Sequence, residues 1–539
     1  MLRFRNEQLE WDEEDIIQMS KIIGPELAVG RQRKDKTWVR RSPMLPSLIK
    51  MAKRRGILLS PRCQRELEKA EALRSKVTTI KERKDAKGDP AFFRQQRVAM
   101  KFFIEAAQPA YLNADVPGAG KTAAAIRWAN YVQAERILVI CPNSAKRQWA
   151  DAIKRWDTSF LPITIVEGTI AQQVAKLSTP KGWVVTHWEA LAHARQGAVR
   201  SRWDVVIADE AHRMQNREAV RTKTVFLLRA DYRMALTAHP YTNNPGELQP
   251  ILRFLYPDVY RAYWRFFHMH VRGEPKAFGG MEIIGTKRPK LLQWELAPFT
   301  IRRSHKELGW RPLTRVPRYA QLTTGMRREY EKLRKEFFVE LKEHETAGKR
   351  ILAIPSVLAR VTRLRQYLID PDIIGSGSKS VKYPVVNEII EALDGPPVIF
   401  TSFVEAATRL QAYLYKQHRR TAIISGSTGH LIERYKKQFL KGKFDALIVI
   451  TSKGGESLNL GKYGYILWLD LPWNPRGLEQ GEGRVYRPEE HVGTMVSCTS
   501  YRVIVENTWE DKRLEVKLED KHRDFQGTFS PKDLMELFG

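Results

Sequence analysis

The residues most directly suited to chemistry lie in the segment DVPGAGKT, at positions 115–122. This segment follows a short apolar run, AYLNA, and opens a run typical of a helix, AAAIRWANYVQAE. Backbone N–H groups at such a helix N-terminus bind phosphate, and the helix dipole adds attraction. Lys121 is then placed to reach the β- and γ-phosphates of a nucleotide, and the Thr122 hydroxyl to hold Mg²⁺. The alternative is an ordinary glycine-rich turn, since Asp115 stands where the GxxxxGK[ST] pattern has glycine.

Two adjacent carboxylates, Asp209 and Glu210, lie near the end of the run WDVVIADEAH at positions 203–212. A buried strand that ends in Asp-Glu supplies the two carboxylates that nucleotide hydrolysis requires, a metal ligand and a general base. Asp209 would hold the metal ion, and Glu210 would orient and deprotonate the attacking water. A solvated acidic pair just beyond a strand is the alternative, and the phosphate-loop pattern upstream favours hydrolysis.

Short β-branched runs alternate with amphipathic helical stretches, and these elements would position the two motifs. Buried strands that alternate with helices predict parallel sheets covered on both faces. A helical, polar stretch separates two such groups, so we predict an α/β fold of two lobes. The predicted strands of the first group are ILVICP (137–142), WVVTHW (183–188), WDVVIADE (203–210) and RMALTA (233–238). Those of the second group are PVIFTSF (397–403), TAIISG (421–426), DALIVITS (445–452) and GYILWLD (464–470).

The charge of the chain points to a partner. The 539 residues are 43% hydrophobic and 28% charged, which is ordinary globular composition. Lys and Arg total 91 against 61 Asp and Glu, and the formal net charge of +30 would attract a polyanion. Much of this charge lies before residue 90, for example in RQRKDK (31–36), KRR (53–55) and KERKDAK (81–87). This clustering predicts nucleic acid as the partner.

Membrane, secretory and disulfide signals are missing from the sequence. No apolar run approaches the ~20 residues that span a bilayer, and the N-terminus lacks the apolar core of a secretory signal. Cys63, Cys141 and Cys498 form no CxxC pair, which argues against a disulfide scaffold or a zinc module. We therefore expect a cytoplasmic protein without a membrane partner.

The order of the motifs resembles that of superfamily-two helicase motors, with GAGKT upstream of DEAH after a strand. The finer pattern resembles their Swi/Snf-type branch of double-stranded DNA translocases, which begins the phosphate loop with Asp, as in DEMGLGKT. LTAHPYTNNPGEL (236–248) is similar to LTGTPxxNNxxEL, and LAPFTIRRSHKEL (296–308) to LxPFxLRRxKxxV. TSKGGESLNL (451–460) resembles STKAGGxGINL, and LWLDLPWNPRGLEQGEGRVYR (467–487) resembles the DxxWNPxxxxQAxxRxxR block. The resemblance covers about residues 90–510.

This resemblance implies two RecA-like lobes that bind ATP and Mg²⁺ between them, with helical insertions and a small basic N-terminal domain. Arg484 and Arg487 would act as arginine fingers that project from the second lobe onto ATP held by the first. Gln96 would lie at the adenine. The predicted ATP-binding residues are Gln96, Asp115, Val116, Pro117, Gly118, Ala119, Gly120, Lys121 and Thr122. The predicted catalytic residues are Lys121, Asp209, Glu210, Arg484 and Arg487, with Thr122 and Asp209 as the Mg²⁺ ligands.

The same resemblance implies residues that couple nucleic-acid contact to hydrolysis. The predicted coupling residues are Thr237, His239 and Gln480. The predicted nucleic-acid contacts are Pro142, Ser452, Lys453 and Gly454. Three departures from the family pattern fall on this coupling machinery. Ala238-His239 replaces Gly-Thr, Tyr486 replaces histidine, and RPEE (487–490) replaces RIGQ.

The segment before residue 88 carries a separate hypothesis. In KTWVRRSPMLPSLIKMAKRRGI (36–57), Trp38 lies among basic residues, as a nucleic-acid contact would. The segment faintly resembles the small basic modules that precede the motor in annealing-helicase relatives. A solubilising basic surface is the equal alternative. Because every motif lies downstream, we expect the motor to fold without this segment.

These patterns predict a domain organisation and a function. The predicted domains are a basic accessory domain (1–87), a first lobe (88–257), a helical insertion and linker (258–378), a second lobe (379–515) and a tail (516–539). We expect a monomeric, ATP-dependent translocase on double-stranded or branched DNA, acting in replication, repair or recombination. Two alternatives stay open: a strand-separating DNA or RNA helicase, and an ATP-gated nucleic-acid clamp without appreciable hydrolysis.

Overall fold

The computed structural model describes residues 3–5, 8–12, 15, 18–19, 31–32, 37–40, 46–82, 92–241, 245–275, 281–310, 312–345, 355–425, 431–451, 460–472, 475–486 and 497–511. The chain divides into two compact units, Met1–Ser304 and His305–Gly539. In the described part of the chain, no helix is long and apolar enough to cross a membrane.

Strands and helices alternate along most of the chain. The strands are β1 (Arg3–Arg5), β2 (Gln8–Asp12), β3 (Arg31–Gln32), β4 (Thr37–Arg40), β5 (Ala110–Asn113), β6 (Arg136–Cys141), β7 (Ile163–Ile165), β8 (Gly182–His187), β9 (Arg202–Asp209), β10 (Arg229–Leu236), β11 (Val271–Pro275), β12 (Met281–Thr286), β13 (Thr300–Ile301), β14 (Leu313–Ala320), β15 (Val398–Thr401), β16 (Thr421–Ile424), β17 (Ala446–Ile450), β18 (Tyr465–Trp468) and β19 (Cys498–Val505). The helices of the first unit are α1 (Pro46–Arg54), α2 (Pro61–Glu82), α3 (Arg94–Ala106), α4 (Lys121–Tyr131), α5 (Lys146–Trp156), α6 (Ile170–Leu177), α7 (Trp188–His193), α8 (Arg195–Arg200), α9 (Val220–Phe226), α10 (Leu248–Leu255), α11 (Tyr263–His270) and α12 (Pro289–Leu296). Those of the second unit are α13 (Thr324–Glu345), α14 (Pro355–Ile369), α15 (Lys382–Ala392), α16 (Val404–Lys416), α17 (Ile432–Leu440) and α18 (Pro475–Val485).

A parallel sheet of seven described strands forms the centre of the first unit, in the order β13-β5-β10-β9-β6-β8-β7. Strands β6, β8 and β9 are rich in Val and Ile and largely buried, as in parallel sheets covered by helices. The register pairs Leu236 of β10 with both Asn113 of β5 and Asp209 of β9. The carboxyl ends of these three strands therefore meet at one edge of the sheet, where ligands of such folds bind.

Helices α1 and α2 are packed into the first unit rather than standing apart from it. Leu67 lies in a buried cluster with Met269, and Val77 joins the main core. Arg74 donates a hydrogen bond to the carbonyl oxygen of Trp294 over 2.5 Å, and its guanidinium lies 3.5 Å from the centroid of that indole ring. The structure therefore differs from the expectation that the motor is complete without the N-terminal segment, because α2 covers apolar core surface.

Two truncations test the role of these helices. Removal of residues 1–45 is expected to leave a cooperatively folded first unit, since of the described core residues it loses only Met19. Removal of residues 1–87 is expected to give an insoluble or non-cooperative chain, because buried residues such as Val77 and Ile80 are lost. Each buried apolar side chain contributes about 1.5–3 kcal/mol, and a domain has only about 5–15 kcal/mol in total. Thermal unfolding measures both variants, and a shorter chain that melts at the wild-type temperature contradicts the prediction.

The second unit is built on a parallel sheet of six described strands, in the order β14-β19-β18-β15-β17-β16. Lys382 of α15 is fully buried beside this sheet. Its ammonium group donates to the carbonyl oxygens of Leu469 and Val503 and to the carboxylate of Glu510, each over 2.8–2.9 Å. All three ammonium protons have an acceptor, and this is the condition under which a buried charge is tolerated.

The two sheets confirm the predicted fold class of two parallel-sheet lobes with helices. The segment 258–378, predicted to be a helical insertion and linker, is divided between the units: β13 joins the first sheet and β14 the second. A two-stranded hairpin, β11–β12, also lies in this segment. Near the N-terminus, β1–β4 form an antiparallel sheet in the order β1-β2-β4-β3. The predicted tail, 516–539, lies outside the described residues.

Candidate nucleotide-binding site

The loop between β5 and α4 turns through two glycines. Gly118 and Gly120 both have φ of 82°, a region that residues with a Cβ rarely adopt. A Cβ at Gly120 would lie only 2.2 Å from Nε2 of Gln96, so the glycine lets this amide approach the loop. Gln96 is buried, and its Oε1 accepts a hydrogen bond from the backbone N–H of Phe93 over 2.9 Å. The residue predicted to recognise adenine therefore lies against the loop, at the start of α3.

Lys121 is the first residue of α4, and its ammonium group folds back on the loop. Nζ donates to the carbonyl oxygen of Asp115 over 2.7 Å and to that of Val116 over 3.1 Å. Thr122 follows with a partly exposed side chain. Of the other predicted loop residues, Val116, Pro117 and Gly118 are partly exposed and Ala119 is buried. A lysine, a threonine and a helix N-terminus meet here, and this combination binds nucleotide phosphates.

Asp115, which departs from the usual loop pattern, is buried in an ion pair with Arg303. The Arg303 Nε donates to Oδ1 over 3.1 Å, and Nη2 donates to Oδ2 over 2.5 Å. Asp115 is 1% exposed and Arg303 is 6% exposed. Two charge-assisted hydrogen bonds offset the free-energy cost of burying the carboxylate. An acidic residue is therefore accommodated where glycine is usual.

Asp209 and Glu210 follow one another at the end of β9. Trp149 Nε1 donates to Asp209 Oδ2 over 2.8 Å, and the Glu210 N–H donates to Oδ1 over 2.9 Å. Trp188 Nε1 donates to the carbonyl oxygen of Asp209 over 3.1 Å. Desolvation and the Glu210 charge raise the pKa of the Asp209 carboxyl, while the hydrogen bonds from Trp149 and from the Glu210 N–H and the charge of Lys121 act to lower it. A crowded carboxylate of this kind fits a divalent cation, which favours the charged form.

Glu210 adopts a left-handed backbone conformation, with φ of 48°, and such conformations concentrate at functional sites. Its Oε2 lies 3.1 Å from Nδ1 of His212. The same Nδ1 lies 3.3 Å from Oγ1 of Thr237, which also accepts a hydrogen bond from the backbone N–H of His239 over 3.2 Å. The predicted coupling residues Thr237 and His239 are therefore connected to the predicted base through His212.

Replacing Trp149 by phenylalanine tests the site around Asp209, because it removes the indole donor and keeps an aromatic ring. Loss of a hydrogen bond to a metal ligand typically lowers metal affinity about 10- to 100-fold, so the Mg²⁺ needed for half-maximal ATP hydrolysis is expected to rise by this factor. The lost donor acts to lower the pKa of Asp209, so the acid limb of the activity profile is also expected to move to higher pH. Mg²⁺ titrations at several pH values measure both effects.

The matched control for this prediction is Trp183→Phe. Trp183 is fully buried in β8 of the same unit, and its indole N–H donates no hydrogen bond in the described structure. An equal shift in the Mg²⁺ requirement of both variants would mean that core packing, rather than the donor to Asp209, causes the effect.

In the second unit, Gln480 and Arg484 lie on α18. Arg484 is 4% exposed, its guanidinium lies 5.8 Å from the centroid of the Phe400 ring, and its carbonyl oxygen accepts from the Leu460 N–H over 2.9 Å. Gln480 is partly exposed. Arg487 lies outside the described residues. The second unit therefore holds Arg484 within its own core, and the arginine-finger role of both arginines stays a prediction.

Contacts of Glu482 in α18, and of Tyr486 directly after this helix, connect its C-terminal end to the rest of the second unit. Glu482 accepts two hydrogen bonds from Arg315 of β14, over 3.2 and 2.7 Å. The ring of Tyr486 lies with its centroid 4.7 Å from that of His305 and 5.7 Å from that of Trp310. The tyrosine that replaces the family's histidine therefore packs against the segment that begins the second unit.

The predicted nucleic-acid contacts are described only in part. Pro142 is buried directly after β6. Trp38 lies in β4, where its backbone pairs with that of Trp11 in β2. Ser452, Lys453 and Gly454 lie outside the described residues.

Three residues of the site are not among the site residues that the sequence predicts. Trp149 lies in a helical stretch, where an apolar residue indicates core packing. Arg303 lies 188 residues from its partner Asp115 along the chain. His212 is the last residue of DEAH, and Arg303 is the second arginine of LAPFTIRRSHKEL, but neither motif indicates the contacts that these side chains make. The arrangement as a whole places an anion-binding helix N-terminus beside two carboxylates, which is suited to phosphate transfer to water.

Comparison with protein families gives two matches along the chain. A model described as SNF2-related domain matches residues 78–373, and one described as helicase conserved C-terminal domain matches residues 382–489. The first match begins within α2, in agreement with the packing of this helix into the first unit.

Curated relatives are similar over three quarters of the chain. The ISWI chromatin-remodeling complex ATPase ISW1 of Saccharomyces cerevisiae is 26% identical over 440 residues, which cover 75% of this chain and 37% of that protein. The SWI/SNF-related matrix-associated actin-dependent regulator of chromatin subfamily A member 1 of Mus musculus is 25% identical over 438 residues, covering 75% and 40%. The chain thus spans less than half the length of either relative. Among solved structures, the Sulfolobus solfataricus SWI2/SNF2 ATPase core in complex with dsDNA is 20% identical and covers 82% of this chain and 96% of that chain, with a TM-score of 0.37.

Proposed function

The chain belongs to the SNF2-related family, whose domain model matches more than half of its length, and from this premise we propose that it is an ATP hydrolase that translocates on double-stranded DNA. In this proposal, closure and opening of the two lobes during each ATP cycle move the protein along the duplex. The tasks that such a motor would perform are fork remodelling, branch migration, strand annealing or displacement of bound proteins, in replication, repair or recombination.

The observation that carries the ATPase proposal is the position of the phosphate loop beside Asp209 and Glu210, at one edge of one sheet. The Lys121 ammonium group gives up its hydrogen bonds to the carbonyl oxygens of the loop and binds the phosphates of ATP instead. Backbone N–H groups at the N-terminus of α4 donate to the same phosphates. Thr122 and Asp209 would hold Mg²⁺, which would neutralise charge that develops on the phosphates. Glu210 accepts the proton of the attacking water, and His212 holds its carboxylate at 3.1 Å.

Charge and family together support duplex DNA as the track. The formal net charge is +30, and Lys53, Arg54 and Arg55 are exposed at the end of α1. The relatives described above are chromatin-remodeling and chromatin-regulating proteins by name, and chromatin presents duplex DNA. Phosphate contacts carry little sequence information and make affinity steeply salt-dependent. We therefore expect the protein to bind DNA with weak sequence preference and with an affinity that falls steeply as salt increases.

The proposal is tested by ATP hydrolysis with duplex, single-stranded and forked DNA and with RNA, at equal phosphate concentration. Duplex is expected to stimulate turnover most. Lys121→Ala is the control, since it removes the phosphate-binding cation and is expected to abolish turnover without unfolding the protein. Displacement of the third strand from a triplex, without separation of a forked duplex, would identify translocation.

Two other outcomes would replace this proposal. Separation of the forked duplex, with stimulation by single strands or RNA, identifies the strand-separating helicase. ATP binding that depends on Lys121 but gives no turnover with any nucleic acid identifies the ATP-gated clamp.

A further inference from the structure

Arg303 fixes the first two residues of the phosphate loop. Its guanidinium holds the Asp115 carboxylate by two hydrogen bonds, of 3.1 and 2.5 Å. Its carbonyl oxygen accepts from the backbone N–H of Val116 over 3.4 Å. Both charged side chains are more than nine-tenths buried. A single residue, Arg303, therefore fixes both the position of the Asp115 side chain and that of the backbone at Val116.

Lys121 holds the same two residues from another side. Its ammonium group donates to the carbonyl oxygens of Asp115 and Val116. To reach the phosphates of a nucleotide, this ammonium group must leave those carbonyls. The contacts with Arg303 then remain to keep the start of the loop in place, because they do not involve the side chain that moves.

We propose that Arg303 is a positioning residue for ATP binding, which acts through its ion pair with Asp115 on the phosphate loop. This inference rests on the proposed ATPase function. Arginine suits the task because its planar fork makes two parallel hydrogen bonds to one carboxylate, whereas a lysine ammonium is a point charge. Since the loop geometry serves bound ATP before and during hydrolysis, Arg303 supports ground-state and transition-state binding alike. Such interactions change KM more than kcat.

The test uses the full-length chain with Arg303→Gln, Arg303→Lys, Asp115→Asn and the double variant Asp115→Asn with Arg303→Gln. The affinity for a fluorescent ATP analogue is measured without DNA, beside KM and kcat for ATP with duplex DNA. Each single variant is expected to bind roughly 10- to 100-fold more weakly, the loss expected for a hydrogen-bonded charged group. The value of kcat at saturating ATP is expected to stay within a few-fold of wild type. The double variant is expected to lose no more than the worse single variant, because residues that act as one unit are not additive.

Arg302→Gln is the matched control, since Arg302 is the neighbouring arginine and is exposed. It is expected to keep wild-type affinity. Unfolding temperatures of all variants separate a folding defect from a binding defect: fewer folded molecules lower kcat at unchanged KM. If Arg303→Gln does not fold, Arg303→Lys and Asp115→Asn decide the question.

Wild-type affinity in Arg303→Lys and Asp115→Asn would overturn the inference, and so would additive losses in the double variant. Nucleotide affinity is measured without DNA, so a failure of the translocase proposal leaves this result interpretable. A wild-type protein that binds no nucleotide at all would instead refute the proposed function itself.

Discussion

Glu210→Gln is expected to keep ATP affinity within a few-fold of wild type and to lower hydrolysis per bound complex by about 100- to 10,000-fold, the usual contribution of a general base. Glutamine keeps the shape of the side chain, but it cannot accept the proton of the attacking water. Glu210 is held for this role by its left-handed backbone and by His212, 3.1 Å from its carboxylate. Single-turnover hydrolysis beside equilibrium nucleotide binding measures the two quantities separately.

Glu218→Gln is the matched control for this prediction, because Glu218 is an exposed carboxylate of the same unit paired with Lys223. It is expected to hydrolyse ATP at the wild-type rate. If Glu210→Gln instead lost ATP affinity while the rate per bound complex stayed normal, Glu210 would have a binding role and another group would be the base.

Arg487→Ala is expected to leave ATP affinity within a few-fold and to lower DNA-stimulated turnover by about 1,000- to 100,000-fold, the range for arginine fingers. Arg487→Lys is expected to restore little, because a point charge does not reproduce the bidentate fork. Arg484→Ala is expected to show the same kinetic loss together with a lower unfolding temperature. The added effect follows from the burial of Arg484 against Phe400 in the core of the second unit.

DNA-stimulated ATPase activity, nucleotide affinity and DNA affinity without ATP are the three measurements for these arginines. Arg328→Ala, at an exposed position on α13, is the control. Should Arg487→Ala keep the wild-type stimulated rate, the finger assignment fails for this residue. Should Arg487→Ala bind DNA more weakly without ATP, Arg487 contacts the DNA rather than the phosphates of ATP.

The sequence predicts the glycine-rich loop and the Asp209-Glu210 pair because each is a local pattern of neighbouring residues. The glycine-rich loop and the Asp209-Glu210 pair each end an apolar strand, and parallel strands bring their carboxyl ends to one edge. The register of β5, β9 and β10 then places the two motifs at that edge, with the end of β10 between them.

What the sequence does not predict depends on contacts between distant segments. The partner of Asp115 lies 188 residues downstream, and nothing near either residue specifies the pairing. In α2, the buried Leu67, Val77 and Ile80 recur at helical spacing. The basic clusters KRR (53–55), before this helix, and KERKDAK (81–87), at its C-terminal end, suggest a surface module instead. The division of segment 258–378 between two sheets likewise follows from strand pairing. The strands β13 and β14 are not predicted because the sequence around them is polar and typical of helices.

The strand order of the second unit has a consequence for the synthesis of the protein. Among the described strands of this unit, edge strand β14 is the first to leave the ribosome and its sheet partner β19 is the last. At about 5–20 residues per second, the chain between them takes roughly 10 to 40 seconds to make. During this time β14 lacks its partner strand β19, and Lys382 lacks the Glu510 carboxylate that accepts a hydrogen bond from its ammonium group. Pro317, Arg315 and Arg318 within β14 are residues that discourage pairing with foreign strands. The second unit is therefore expected to complete its sheet only after β19 has been made, and its earlier strands are expected to bind chaperones until then.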